Sequence, residues 1–91
     1  MTEQDRLTML KTDLGITSTG YDTRLTQILR SSEKAIRKEG VTTLDNTDLE
    51  DCQLIVMYAA WIWRKRDTGD GMPRMLRWSL NNRILAEKAA L

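Results

Sequence analysis

Apolar side chains recur along this chain at spacings of three and four residues, the period of an α-helix with one buried face. No segment shows the sustained alternation of apolar and polar residues, enriched in β-branched side chains, that marks a strand. The pattern therefore predicts an all-α fold, a compact bundle of about four helices. The predicted helices run from about Glu3 to Asp13, from Asp22 to about Glu39, from Thr47 to about Arg66, and from Pro73 towards the C-terminus.

Capping signals support these boundaries. Thr2 precedes the first helix as an N-cap, and Gly15 suits a left-handed exit at its end. Gly40 follows the second helix and ends it. Thr47, followed three residues later by Glu50, has the spacing of a capping box and predicts the start of the third helix.

The second and third predicted helices differ in how their apolar residues are distributed. The second has one stripe, formed by Leu25, Ile28, Leu29, Ala35 and Ile36. The third is apolar nearly all round, so it must be enclosed by its neighbours or present one side to another molecule. One of its faces is expected in the core and carries Leu49, Cys52, Val56, Ala59, Ala60 and Trp63, and roughly the opposite face carries Leu54, Tyr58 and Trp61.

The fourth predicted helix has two apolar stripes. One consists of Leu76, Leu80 and Ile84, and the other of Met75, Trp78, Asn82, Leu85 and Ala89. Two packing seams on a terminal helix are more than an isolated monomer requires. We therefore expect contacts between subunits, and the candidate interface residues are Leu54, Tyr58, Trp61, Met75, Trp78, Asn82 and Leu85.

Length and composition exclude several classes of protein. With 91 residues, the chain is expected to form one all-helical domain, residues 1–91. It has no histidine, and its one cysteine, Cys52, has no general base at hand and is expected to be a small buried side chain. No catalytic, phosphate-binding or metal-ligand spacing occurs. We therefore expect neither enzymatic activity nor a cofactor.

No membrane partner is expected either. The longest uncharged run, Cys52 to Trp63, is well short of the ~20 residues that span a bilayer. The polar N-terminus is unlike a signal peptide. The sequence thus predicts a soluble protein, cytosolic where it is made.

Charge is concentrated locally, since the net charge is only +1. The segment from Arg64 to Arg83 carries six basic residues against Asp67 and Asp70. These residues either complement the helix dipole and solvate the surface, or they contact phosphates or an acidic partner. The candidates for such contacts are Arg64, Lys65, Arg66, Arg74, Arg77 and Arg83.

Four features together resemble a known family. They are the opening LKTDLGI, the pair Tyr21-Asp22 before the second helix, the apolar third helix and the segment RKRDTGDGMPRMLRWSLNNRI. In order and spacing they are similar to the small head-tail connector (adaptor) proteins of long-tailed double-stranded DNA phages. The resemblance covers almost the whole chain.

The resemblance implies a virion structural protein at the head-tail interface, assembled in the bacterial host cytoplasm. Connectors of this family form rings of about a dozen copies that dock under the portal protein after genome packaging. They extend the DNA channel and offer a surface to the next head-completion or tail protein. Non-specific contact with packaged DNA is left open, because the chain has no long insertion that could line a channel.

A small helix-turn-helix-like DNA-binding regulator is the alternative. The fourth helix would enter the major groove with Arg74, Arg77, Asn81, Asn82 and Arg83. Against it, the loop from Asp67 to Met72 contains two acidic residues and is longer than the three to four residues of a helix-turn-helix turn.

Overall fold

Four α-helices make up most of the chain in the computed structural model, which describes residues 1–69 and 71–90 and all their side chains except those of Asp67 and Ala90. They are α1 (Glu3–Leu14), α2 (Asp22–Lys38), α3 (Leu49–Thr68) and α4 (Arg74–Ala90). The residues described contain no β-strand, so the all-α prediction is confirmed.

The core of the fold lies along α3. Helices α1 and α2 pack on α3 and on each other, whereas α4 packs chiefly on α3. Each helix contributes at least one wholly buried side chain to this shared core: Leu10, Leu25, Ile55 and Leu80. Burying a side chain of this size contributes roughly 1.5–3 kcal/mol. Because α3 has neighbours on several sides, an apolar surface nearly all round it is what the fold requires.

The N-terminal cap of α3 differs from the one predicted. The helix begins at Leu49, and the side chain of Asp48 accepts a hydrogen bond of 3.1 Å from the amide of Asp51. The hydroxyl of Thr47 instead donates to Asp45 Oδ1 at 2.6 Å, within the preceding turn. Aspartate is at least as good an N-cap as threonine, and Thr47 lies one residue before the cap.

The predicted caps of α1 are confirmed. Thr2 and Asp5 form a reciprocal capping box, and Gly15 has a φ of 71°, a left-handed conformation that glycine adopts without strain. Gly69 ends α3 in the same way, with a φ of 67° and its amide donating to the carbonyl of Lys65 at 2.7 Å. Helix α3 therefore continues two residues past Arg66, the predicted end.

The two faces predicted for α3 are only partly right. Val56 and Ala59 are buried as expected, but Leu49 is 56% exposed. Leu54 and Tyr58, predicted to face outwards, are only 5% and 9% exposed. The reason is tertiary: α4 packs against α3 and adds its own buried side chains to the same core.

A polar clamp, defined here as Thr43, Asp51, Arg83 and Glu87, holds the second half of α4 in place. Arg83 Nε donates to Asp51 Oδ1 at 2.7 Å, and Arg83 Nη2 donates to Asp51 Oδ2 at 3.2 Å. Glu87 Oε1 accepts hydrogen bonds from the amide and the hydroxyl of Thr43, at 2.6 and 2.8 Å. The clamp and the buried Leu76 and Leu80 together set which side of α4 faces outwards.

Candidate functional site

The outer face of α4, defined by Met75, Trp78, Asn82, Leu85 and Ala89, is open to solvent. Its three large apolar side chains, those of Met75, Trp78 and Leu85, are 66%, 61% and 63% exposed. Asn82 and Ala89 are exposed as well. Spacings of three and four residues place all five on one side of the helix. Single exposed apolar residues are ordinary on a protein surface, but three large ones along one face of a helix favour an interaction site.

The opposite side of α4 packs into the core of the fold. Leu76 and Leu80 are 2% and 0% exposed, and Ile84 is partly buried against the core. The two stripes predicted for this helix are therefore separated as the sequence indicated: one packs on α3, and the other has no cover within the residues described.

The interface candidates on α3 are placed differently. Leu54 and Tyr58 belong to the core, so they are not available to another subunit, and burial also raises the pKa of the Tyr58 hydroxyl. Trp61 is partly buried, and its ring meets the ring of Tyr58 edge to face at a centroid distance of 5.4 Å. Trp61 is thus the one candidate on α3 that is not buried.

Two cations at the end of α3 lie over tryptophan rings. The Lys65 ammonium is 4.3 Å from the ring centre of Trp61, and the Arg66 guanidinium is 3.7 Å from that of Trp63. Trp63, expected in the core, is only partly buried, and Tyr21 meets its ring edge to face at 5.3 Å. Cation–π contacts of this kind stabilise exposed sites by about 0.5–1 kcal/mol and orient the charged groups.

Arg64 and Arg74, two further basic candidates, are exposed. Arg64 Nη2 makes a long hydrogen bond of 3.4 Å to the backbone carbonyl of Asp13. The basic candidates of α3 and the first residue of α4 therefore lie at one end of the molecule, where α3 ends and α4 begins.

The remaining two basic candidates pair with carboxylates of the same chain. Arg77 Nη1 lies 3.5 Å from Glu39 Oε2. Arg83 is paired with Asp51 in the polar clamp. The Arg83 side chain, 21% exposed, is therefore held by the fold, and its contact with a portal surface or DNA stays a prediction. The same pairing makes the alternative in which α4 enters the major groove less favourable, because Arg83 would have to leave Asp51 to contact a base.

An open groove lies between the C-terminal half of α3 and the start of α4. Its volume is about 430 Å³. We call it the α3–α4 groove. The described residues that line it include Met57, Ala60, Trp61, Arg64, Lys65 and Leu76. A second depression of about 320 Å³ lies further along the same pair of helices, beside Leu54, Trp78 and Asn82.

Met57 was missed at the sequence level although it lines both depressions. It is partly buried and lies three residues after Leu54 and four before Trp61, on the stripe of α3 that borders α4. That spacing is visible in the sequence. The missing information was which face of α3 the fourth helix would leave partly open.

Other candidate chemistry is limited. The Cys52 thiol is buried, as predicted, and donates a hydrogen bond to the carbonyl of Asn46 at 3.1 Å. Burial raises the pKa of this thiol and so disfavours the reactive thiolate. Within residues 1–69 and 71–90, no cluster of carboxylate and cysteine side chains could hold a metal ion. Among the helices described, none is long and apolar enough to cross a membrane.

Comparisons with protein-family models, with curated proteins and with solved structures find no match to this chain.

Proposed function

We propose that this protein is a structural assembly subunit that packs on copies of itself through the outer face of α4. The supporting observation is the row formed by Met75, Trp78 and Leu85, each more than half exposed. Leu85 lies ten positions after Met75, so the row extends for about 15 Å along the helix. Tryptophan and methionine are enriched at the centres of protein interfaces, where tryptophan is a frequent hot spot.

The particular assembly proposed is the phage head-tail connector. The sequence resemblance supports it, and an uncovered apolar face on the last helix is consistent with a ring whose copies contact each other side by side. In this proposal the basic end of the molecule, with Arg64, Lys65, Arg66 and Arg74, faces an acidic portal surface or the DNA channel. The protein would then be a virion component that extends the channel and joins head to tail.

A head-to-tail ring also needs a second surface on each copy to receive the first. The other large apolar side chains that are exposed in the described part of the chain are Tyr21 and Leu49, at 51% and 56%. They lie at the N-terminal ends of α2 and α3. Each is therefore a candidate for the receiving surface.

Native mass spectrometry over a concentration series, with and without the portal protein, tests the assembly. We expect the wild-type chain to form closed rings at high concentration or on the portal. Trp78→Glu should weaken self-association by at least about 30-fold, because a hot-spot tryptophan contributes 2 kcal/mol or more. Ser31→Glu makes the same change in charge at an exposed position of α2 and should leave assembly unchanged.

Mixing two defective variants separates a ring from a symmetric dimer. If the contact is head-to-tail, Trp78→Glu mixed with Leu49→Glu or with Tyr21→Glu should give a heterodimer, because one intact contact remains. A symmetric dimer of the wild-type chain would contradict the ring. A chain that stays monomeric at every concentration and does not bind the portal would contradict the proposed function as a whole.

A further inference from the structure

The α3–α4 groove combines an apolar floor with a basic rim. Met57, Ala60 and Leu76 provide apolar surface, and Trp61 forms part of the wall. Arg64 and Lys65 lie on the same wall, one turn further along α3. A volume of about 430 Å³ lies within the range of sites that enclose a small ligand or a large side chain.

We propose that this groove binds a short acidic peptide segment of a partner protein, anchored by one large apolar side chain. The anchor would fill the space above Met57 and Leu76, and carboxylates on either side of it would meet the basic rim. This site deepens the proposed function, since it specifies the chemistry of a partner that a connector would need. It uses groups within one copy of the chain, so it is testable without the ring.

The charges around the groove favour carboxylates at the end of α3. Neither Arg64 nor Lys65 forms an ion pair with a carboxylate among the side chains described. Lys65 is held over the ring of Trp61 at 4.3 Å, which fixes the position of its charge at the rim. Asp13 also lines the groove, next to Arg64, which donates a hydrogen bond to its backbone carbonyl. The carboxylate of Asp13 would repel an anion, whereas the charges of Arg64 and Lys65 attract the acidic residues of the peptide.

The start of α4 adds to the positive electrostatic potential at the groove. Pro73, Met75 and Leu76 bring the first turn of α4 to the groove, and that turn contains no acidic residue. The first amides of a helix have no partner within the helix and carry a partial positive charge. They therefore add to the positive potential that Arg64 and Lys65 create at the rim.

A peptide suits the groove better than nucleic acid does. An apolar floor offers nothing to a phosphate, and the Lys65 ammonium occupies space over the Trp61 ring that a stacking base would need. An apolar side chain flanked by carboxylates uses both the floor and the rim.

The experiment uses the pentapeptide acetyl-Glu-Glu-Leu-Glu-Glu-amide as the probe, with binding followed by NMR through the three tryptophan indole N–H signals. We expect titration to shift the Trp61 signal and to leave the Trp78 signal in place. A peptide with serine in place of leucine should bind at least about tenfold more weakly, because the apolar anchor is lost. A short single-stranded oligodeoxynucleotide should not compete with the pentapeptide.

Matched charge reversals test the rim. Arg64→Glu should weaken pentapeptide binding by about tenfold or more, because a hydrogen bond to a charged group is lost and repulsion replaces it. Lys34→Glu makes the same change in net charge at an exposed site of α2 and should change binding by less than about twofold. Trp78→Glu should bind the pentapeptide as the wild type does, which distinguishes this site from the assembly face.

Three results would overturn the site. They are equal binding of the leucine and serine peptides, equal loss of binding in Arg64→Glu and Lys34→Glu, and displacement of the pentapeptide by the oligodeoxynucleotide. None of these would bear on self-assembly, which Trp78→Glu tests separately.

Discussion

At the scale of single residues, Arg83 has a role that its neighbours in the sequence do not reveal. For the basic residues of the segment from Arg64 to Arg83, the sequence left two roles open, a solvated surface and contact with a partner. Arg83 instead forms two hydrogen bonds with Asp51, a carboxylate 32 positions earlier in the chain and only 5% exposed. Whether an arginine is solvated or paired depends on which carboxylate the fold brings within reach, and no local pattern contains that information.

Replacing Arg83 tests the role of this pair. Arg83→Met should lower the free energy of unfolding by about 2 kcal/mol, because Asp51 would remain buried without its cation, although partial exposure of Arg83 reduces the penalty. Urea denaturation measures the loss. Arg74→Met is the matched control on the exposed start of α4 and should change stability by less than about 0.5 kcal/mol. Equal losses in the two variants would show that the pair contributes little.

At the scale of the helices, the features that depend on local spacing were predicted from the sequence, and those that depend on long-range packing were not. The stripe of α2 was predicted because it follows from spacing alone, and Leu25, Ile28, Leu29 and Ile36 are all buried. The exposed and buried sides of α4 were predicted for the same reason. The burial of Leu54 and Tyr58 was not, because a helix that is apolar all round does not indicate which face its neighbours will cover.

The start of α3 gives a test at this scale. Asp48→Ala should lower the free energy of unfolding by about 1 kcal/mol, since the amide of Asp51 loses its acceptor. Thr47→Ala should lower the free energy of unfolding by less, because the Thr47 hydroxyl donates to the exposed Asp45 in the preceding turn. Thermal and urea unfolding of the two variants measure the difference. A larger loss for Thr47→Ala would restore the predicted capping box with Glu50.

At the scale of the whole molecule, the fold is a thin slab. Its principal extents are 42 × 29 × 17 Å, and the shortest leaves room for about two layers of helices, whose axes pack 8–10 Å apart. A slab of this thickness cannot enclose both sides of every helix, so an all-round apolar α3 takes the centre and α4 keeps one side uncovered. The polar clamp then joins parts of the chain that are 44 positions apart, Thr43 and Glu87.

The clamp predicts how stability depends on pH. Hydrogen bonds from the backbone amides of Thr42 and Thr43 lower the pKa of Glu87 from its ordinary value of 4.5 to about 2. The folded state therefore favours the ionised carboxylate, and its contribution to stability is fully present above pH 4.5 and lost as the pH falls towards 2.

Urea unfolding of the wild type and of Glu87→Gln, repeated at several pH values, measures this contribution. The gap between their free energies of unfolding should be largest above pH 4.5 and should close as the pH approaches 2. A gap that stays constant over this range would mean that the charge of Glu87 does not matter to the fold.

The openness of Trp78, 61% exposed on α4, gives the molecule its own optical reporter. An indole in water fluoresces at longer wavelengths than one shielded by protein. Trp61 and Trp63 are already partly shielded, so Trp78 is the tryptophan whose emission should respond most to a neighbouring copy. If neighbouring copies close over Trp78, emission should shift to the blue as they meet. The association would then be visible in an unlabelled solution, and Trp78→Phe would abolish the shift.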